Sequence, residues 1–100
     1  MIEGDEDGRM TAAQLCLRLD VPSRALDDAF RANLGMSPRR FILGMRLNKA
    51  RRRLSRPEDG TTMTGVAARF GFADIGRFCR QYRCLFAELP RETLARARWA

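Results

Sequence analysis

An internal repeat limits the architectures that are open to this chain. In its first half, apolar residues and a proline follow one another at the spacing of helical turns, and equivalent residues recur 52 positions later. The matched positions are Leu26 with Phe78, Phe30 with Tyr82, Leu34 with Phe86, and Pro38 with Pro90. A second set recurs 51 positions later, and it matches Leu15 with Val66, Arg18 with Arg69, Leu19 with Phe70, and Val21 with Phe72. The chain therefore predicts two copies of one supersecondary unit, with a turn one residue longer in the second copy.

Each copy has the pattern of a short helix, a tight turn and a longer helix. In the first copy, Thr11 is predicted to be the N-cap, and the apolar stripe of the short helix stops at residues 20–22. The longer helix is predicted from about Ser23 to Leu34, with Leu34 on its inward face and Gly35 as a left-handed C-cap.

In the second copy, Thr64 is predicted to open the short helix, Gly71 to form the turn and Asp74 to cap the longer helix. An 18-residue helix that starts beside Ser37 and Pro38 joins the copies, and no β-strand is needed. The predicted organisation is an acidic tail at 1–9, a domain at 10–100, a first unit at 10–36, a linker helix at 38–55, a second unit at 62–88 and a last helix at 90–98.

The charge of the chain favours a polyanionic partner. It carries 19 Lys+Arg against 12 Asp+Glu, for a net charge of +7. The first eight residues hold four acids and no base, so residues 9–100 alone carry 19 basic and 8 acidic residues, or +11. Lys49 is the sole lysine. A surplus of this size is typical of proteins that bind nucleic acid.

Several other functions are disfavoured by composition. Histidine is absent, which removes His-dependent catalytic pairs and His-ligated metal sites. The three cysteines, Cys16, Cys79 and Cys84, have no metal-binding spacing and are interpreted as small buried apolar residues. We therefore expect no catalytic residue, no metal and no cofactor. Because no apolar run is long enough to cross a bilayer and no secretory signal is visible, we expect a cytoplasmic protein without membrane contact.

Two motifs carry a family resemblance. The pattern R-L-x-x-A-R-x-x-L occupies residues 46–54, and a pattern that contains Gly71, Phe72, Asp74, Phe78 and Pro90 occupies residues 66–90. Both, in this order, closely resemble the DNA-binding domain of AraC/XylS-type bacterial transcription regulators. The resemblance implies an all-α fold of two homeodomain-like helix-turn-helix units joined by a long linker helix. It implies two recognition helices in successive major grooves of double-stranded DNA, about 10 bp apart.

The resemblance also implies which side chains meet DNA. Base-reading positions are Arg24, Asp27, Asp28, Ile75, Gly76 and Arg77. Contacts with the DNA backbone are expected from Ser23, Arg39, Arg40, Arg46, Asp74, Arg80 and Arg83. Arginines at the first group of positions can grip the O6 and N7 of guanine, or else lie against phosphates. The eight positive charges of residues 39–56 are equally compatible with backbone contacts and with a solvated face.

The first recognition helix departs from the family pattern. Asp27 and Asp28 stand where the family often carries Gln or Arg, and carboxylates repel phosphates. We predict instead two i,i+4 ion pairs, Arg24 with Asp28 and Asp27 with Arg31, which would leave sequence choice mainly to the second unit. The alternative is an interaction module that keeps the scaffold, binds DNA weakly and docks on a protein such as RNA polymerase. No small-molecule ligand can be inferred from these residues.

Overall fold

The structure, a computed structural model, describes residues 11–99. These residues form six helices and no strand, which confirms the predicted all-α class. The helices are α1 (Ala12–Leu19), α2 (Ser23–Leu34), α3 (Pro38–Ser55), α4 (Met63–Arg69), α5 (Ile75–Phe86) and α6 (Pro90–Trp99). The predicted acidic tail at residues 1–9 lies outside the described residues.

Short polar side chains cap four of the six described helices, namely α1, α3, α4 and α5. Thr11 and Gln14 form a reciprocal capping box at α1, Ser37 accepts from the backbone N–H of Arg40 at 3.2 Å, and Asp74 accepts from that of Arg77 at 3.1 Å. Each of these side chains accepts a hydrogen bond from a backbone N–H group that has no partner within the helix.

The predicted start of α4 at Thr64 is wrong by one residue, because α4 begins at Met63. The cap is Thr62, whose hydroxyl accepts the backbone N–H of Gly65 at 3.0 Å. The last helix also extends one residue further than predicted, to Trp99.

The two turns confirm the repeat at the level of a single hydrogen bond. In the first unit the backbone N–H of Val21 donates to the carbonyl of Cys16 at 3.1 Å. In the second, the N–H of Phe72 donates to the carbonyl of Ala67 at 2.8 Å, and these residues stand 51 positions on. The chain reverses through left-handed backbone at Asp20 (φ 54°) and Gly71 (φ 87°), conformations that Asp tolerates and Gly favours.

The hydrophobic core is divided unequally between the two units. The larger cluster holds the second unit against α3 and α6, and its members are Leu47, Ala50, Leu54, Val66, Ala67, Phe70, Phe78, Tyr82 and Leu94. Tyr82 is fully buried and its hydroxyl lies 2.7 Å from that of Thr93. In the first unit, Leu15 and Leu26 are the buried pair, with half-buried neighbours that include Phe30.

Two predicted burials are wrong. Leu34 was expected to face inward, but it is 48% exposed because it lies in the last turn of α2, beyond the small first cluster. Cys84 is exposed on α5, on the face away from the buried Phe78 and Tyr82, whereas Cys16 and Cys79 are half-buried.

Candidate nucleic-acid interface

The outer face of α5 is cationic. Arg77, Arg80 and Arg83 are all exposed, one on each successive turn of the helix. Ile75 at the start of α5 is half-buried and packs against the large core cluster. Its side chain is therefore partly engaged in packing, whereas the three arginines can meet a partner that lies on the helix.

A guanidinium lies over the first turn of α5, close to Gly76. A Cβ at position 76 would stand 3.5 Å from Nη1 of Arg80 and 3.5 Å from Oδ1 of Asp74. The Arg80 side chain thus runs back toward the N-terminus of its helix and lies beside the capping carboxylate. Since the N-terminus of a helix already favours anions, this arrangement places a second positive group where a phosphate would approach.

The corresponding face of α2 is close to neutral. Arg24 and Asp28 are exposed, and Nε of Arg31 lies 3.4 Å from Oδ2 of Asp27, which forms one of the two predicted ion pairs. Within residues 11–99, Arg24 and Asp28 form no ion pair, so that half of the prediction is wrong. Pro22 precedes α2 and provides no side-chain cap. The first turn of α2 therefore presents the unpaired Arg24, and the next turn follows it with two carboxylates, of which Asp27 is paired with Arg31.

Arg39 of α3 lies between the outer faces of α2 and α5. It lines a cleft with Ser23 and Asp27 of α2, and a second cleft of about 470 Å³ with Asp74 and Arg77. In a third groove, of about 800 Å³, it lies with Arg40 and Arg80. The exposed guanidinium of Arg39 is thus placed between the helices that were predicted to read DNA, and Arg46 lies beside it in the second cleft.

Two linker arginines have structural partners that the sequence did not indicate. The guanidinium of Arg51 lies 4.8 Å from the ring centroid of Phe86, a cation–π contact that joins α3 to the end of α5. Nη1 of Arg53 donates to Oε1 of Glu58 at 2.9 Å. This hydrogen bond lowers the pKa of Glu58 and raises the pKa of Arg53. The first contact depends on how α5 packs against α3 and the second on how the chain turns after α3, and residue spacing along one helix reports neither.

Comparison with known proteins identifies the architecture. A family profile described as a helix-turn-helix domain matches residues 15–96. A probable AraC family transcriptional regulator from Rhodopseudomonas palustris has a similar structure, with a TM-score of 0.85, 38% identity, and coverage of 96% of this chain and 89% of that one. A second AraC-type structure, from Chromobacterium violaceum, has a TM-score of 0.78 at 27% identity and covers 88% and 77% of the two chains. The chain belongs to the AraC/XylS family of helix-turn-helix domains.

Curated AraC/XylS relatives extend the comparison. The XylDLEGF operon transcriptional activator 2 of Pseudomonas putida is 37% identical over 94% of this chain and 60% of its own length. A probable thc operon regulatory protein of Rhodococcus erythropolis is 33% identical over 93% of this chain and 28% of its own length. The chain spans about a quarter of the length of most of the curated relatives that it matches.

Membership of this family assigns each helix from α1 to α5 to a structural unit. In the AraC-type arrangement, α1 with α2 and α4 with α5 are the two helix-turn-helix units, and α3 joins them. Between residues 11 and 99, no helix combines the length and apolarity needed to cross a membrane. Over the same residues, no group of three or more Cys, Asp or Glu side chains is arranged to hold a metal ion.

One part of the charged surface is not indicated by the sequence. Arg69, the last residue of α4, lines a cleft with Lys49, Arg52, Arg53 and Arg56 of α3. Its match with Arg18 in the repeat was visible, but its approach to the linker helix depends on the packing of α4 against α3. Only the three-dimensional structure brings these five cations together.

Proposed function

We propose that this chain is the sequence-specific DNA-binding domain of a transcription regulator, with residues 10–36 and 62–88 as its two DNA-binding units. In this proposal α2 and α5 enter successive major grooves on one side of double-stranded DNA. The observation that carries it is the position of Arg39, which shares clefts with side chains of both helices. A segment of the DNA backbone that lies against Arg39 would contact the protein between α2 and α5. This contact would fix the positions of both helices relative to the base pairs.

The proposal divides the side chains into two roles. Arg24, Ile75, Gly76 and Arg77, together with Asp27 and Asp28, lie where base edges would be read. Ser23, Arg39, Arg40, Arg46, Asp74, Arg80 and Arg83 would position the domain on phosphates. Because Asp27 is paired with Arg31 and Asp28 is a carboxylate, the first unit contributes little discrimination. The second unit, with Arg77 on the first turn of α5, contributes most of it.

A selection of bound sequences from a random DNA pool tests this proposal. We expect one motif that is strong over the half-site read by α5 and weak over a second half-site about 10 bp away. Titration of the selected duplex and of a scrambled duplex at several salt concentrations gives the specificity ratio and the salt slope. Equal binding to both duplexes would contradict the proposal, and a motif of equal strength in both half-sites would contradict the division between the units.

The cellular setting of the proposal follows from the relatives. Several of them are named as transcriptional activators, which have to act on the transcription machinery. We extend the proposal to RNA polymerase as a protein partner and to the cytoplasm as the location. A promoter-bound complex that recruits purified polymerase no better than DNA alone would contradict this extension.

A further inference from the structure

The structure brings together a cluster of positive charge that neither recognition helix contributes to. Lys49, Arg52, Arg53 and Arg56 of α3 line one cleft of about 720 Å³ with Arg69 at the end of α4. The remaining lining is Met45, Asn48 and Phe70, so no carboxylate lines the cleft. We call these eight residues the cationic cleft.

We propose that the cationic cleft is a second DNA-binding site, which holds phosphates of the duplex beside the segment read by α2 and α5. The proposal rests on the DNA-binding function proposed above. It chooses phosphate contact over a solvated face for Lys49, Arg52, Arg53 and Arg56, and it adds Arg69, which the linker sequence does not contain.

The charges within the cleft point to an external anion. Lys49 with Arg52 and Arg53, and Arg52 with Arg56, are like charges at helical spacings of three and four, which destabilise an isolated helix. Arg53 pairs with Glu58, whose carboxylate also interacts electrostatically with Arg69, and Glu58 lies 71% exposed at the edge of the cluster. The side chains of Arg52 and Arg56 are exposed and make no hydrogen bond or ion pair with the described residues. A phosphate diester would relieve the repulsion between them.

The chemistry of the lining selects phosphate rather than bases. Five side chains carry positive charge and one, Asn48, is a neutral amide, so the cleft offers mainly donors. The apolar part consists of Met45 and of Phe70, which is itself buried in the core. Neither is exposed as a stacking platform for an unpaired base.

The position of the cleft is compatible with DNA held by α5. Arg69 ends α4 and Ile75 begins α5, so the two Cα atoms are separated by six residue steps, which span at most about 22 Å. One turn of B-DNA is about 34 Å long. The Arg69 end of the cleft therefore lies within the length of one duplex turn from the start of α5, which is the distance over which a bound duplex presents further phosphates.

The test compares two double variants that remove the same amount of charge. Arg52→Gln with Arg56→Gln removes two exposed members of the cleft. Arg91→Gln with Arg98→Gln removes two exposed arginines of α6 that line neither the cationic cleft nor the clefts around Arg39. Binding is measured against salt concentration on a selected duplex and on a scrambled duplex, each of about 40 bp or roughly four helical turns.

For the cleft variant we expect the slope of log K against log salt to become shallower. The change should be about 0.9 for each phosphate that the protein no longer neutralises, or about 1.8 for two phosphates. The preference for the selected duplex should stay unchanged, since phosphates carry no sequence. The control variant should keep a slope within about 0.3 of wild type. Equal slopes for the two double variants would overturn the proposal.

The same data separate this proposal from the one on which it rests. If wild-type protein binds the selected and scrambled duplexes equally, sequence-specific binding fails, whereas the slope difference between the variants still reports on the cleft. Thermal unfolding of both variants gives a check on folding. We expect the cleft variant to unfold at the wild-type temperature or higher, because repulsion between like charges is removed.

Discussion

At the scale of single residues, Arg77 and Arg83 represent two kinds of DNA contact on one helix. Arg77 lies on the first turn of α5, where base edges would be reached, and Arg83 lies on the last. We expect Arg77→Ala to relax the selected motif at one base pair by about 1–3 kcal/mol, or about 5- to 150-fold. Arg83→Ala should weaken all duplexes alike and reduce the salt slope by about 0.9. Competition binding with single-base variants of the motif distinguishes these outcomes, and an unchanged motif in Arg77→Ala would refute its assigned role.

A second residue, Glu88, couples the stability of the fold to pH. Nη2 of Arg96 donates to both carboxylate oxygens at 2.8 and 2.7 Å, and the hydroxyl of Thr93 donates to Oε2. These bonds lower the pKa of Glu88 below its ordinary value of 4.5. The stability that they supply is therefore complete above about pH 4.5 and is lost as the pH falls through the lowered pKa.

Glu88→Gln should accordingly flatten the fall in melting temperature between about pH 5 and pH 3, because glutamine does not titrate. The matched control is Asp59→Asn, since Asp59 is exposed and makes no ion pair with the described residues. Thermal unfolding followed by circular dichroism measures both curves. A Glu88→Gln curve as steep as that of wild type would show that the acid-induced loss arises elsewhere.

At the scale of helices, two glycines with opposite backbone requirements give a matched pair. Gly35 ends α2 at φ 69°, a conformation that side chains disfavour, whereas Gly44 lies inside α3. A Cβ at either position would meet no atom within 4 Å. Gly35→Ala should therefore destabilise the protein by about 1 kcal/mol through backbone strain alone. Gly44→Ala should stabilise it by about 0.5–1 kcal/mol through helix propensity. Denaturant unfolding measures both, and a change of the same sign in the two variants would contradict this account.

The helices were predictable to the extent that their signals are local. Asp74 caps α5 as predicted because capping needs only a short polar side chain three residues before the donor. Thr62 and Thr64 carry the same hydroxyl, so the sequence could not decide which one caps α4. The absence of an Arg24–Asp28 pair depends on side-chain rotamers, and the clefts around Arg39 depend on packing between the two units. Residue spacing along the chain reports neither the side-chain rotamers nor the packing between the units, so these features of the candidate site could not be predicted.

At the scale of the whole molecule, the unequal core predicts unequal local stability. Nine buried residues hold α4, α5 and α6 to α3, whereas Leu15 and Leu26 are the buried pair of the first unit. Local opening is easiest where few apolar contacts must be broken. We expect amides of α1 and α2 to exchange with solvent faster than those of α5, by about tenfold or more for each 1.4 kcal/mol of difference. Hydrogen exchange followed by mass spectrometry measures this, and equal protection in the two units would contradict it.

One substitution in each core tests whether the faster exchange of α1 and α2 arises from lower local stability and not from the intrinsic exchange rates of their amides. Leu54→Ala removes a fully buried side chain of the large cluster and should cost about 2–5 kcal/mol of global stability. Leu26→Ala makes the same chemical change in the first unit, where half-buried neighbours can close the gap, and should fall at or below the lower end of that range. It should also accelerate exchange in α1 and α2 while leaving α5 protected. Because α2 would then open independently, binding to the half-site read by α5 should persist, which a fold that unfolds as one unit would not allow.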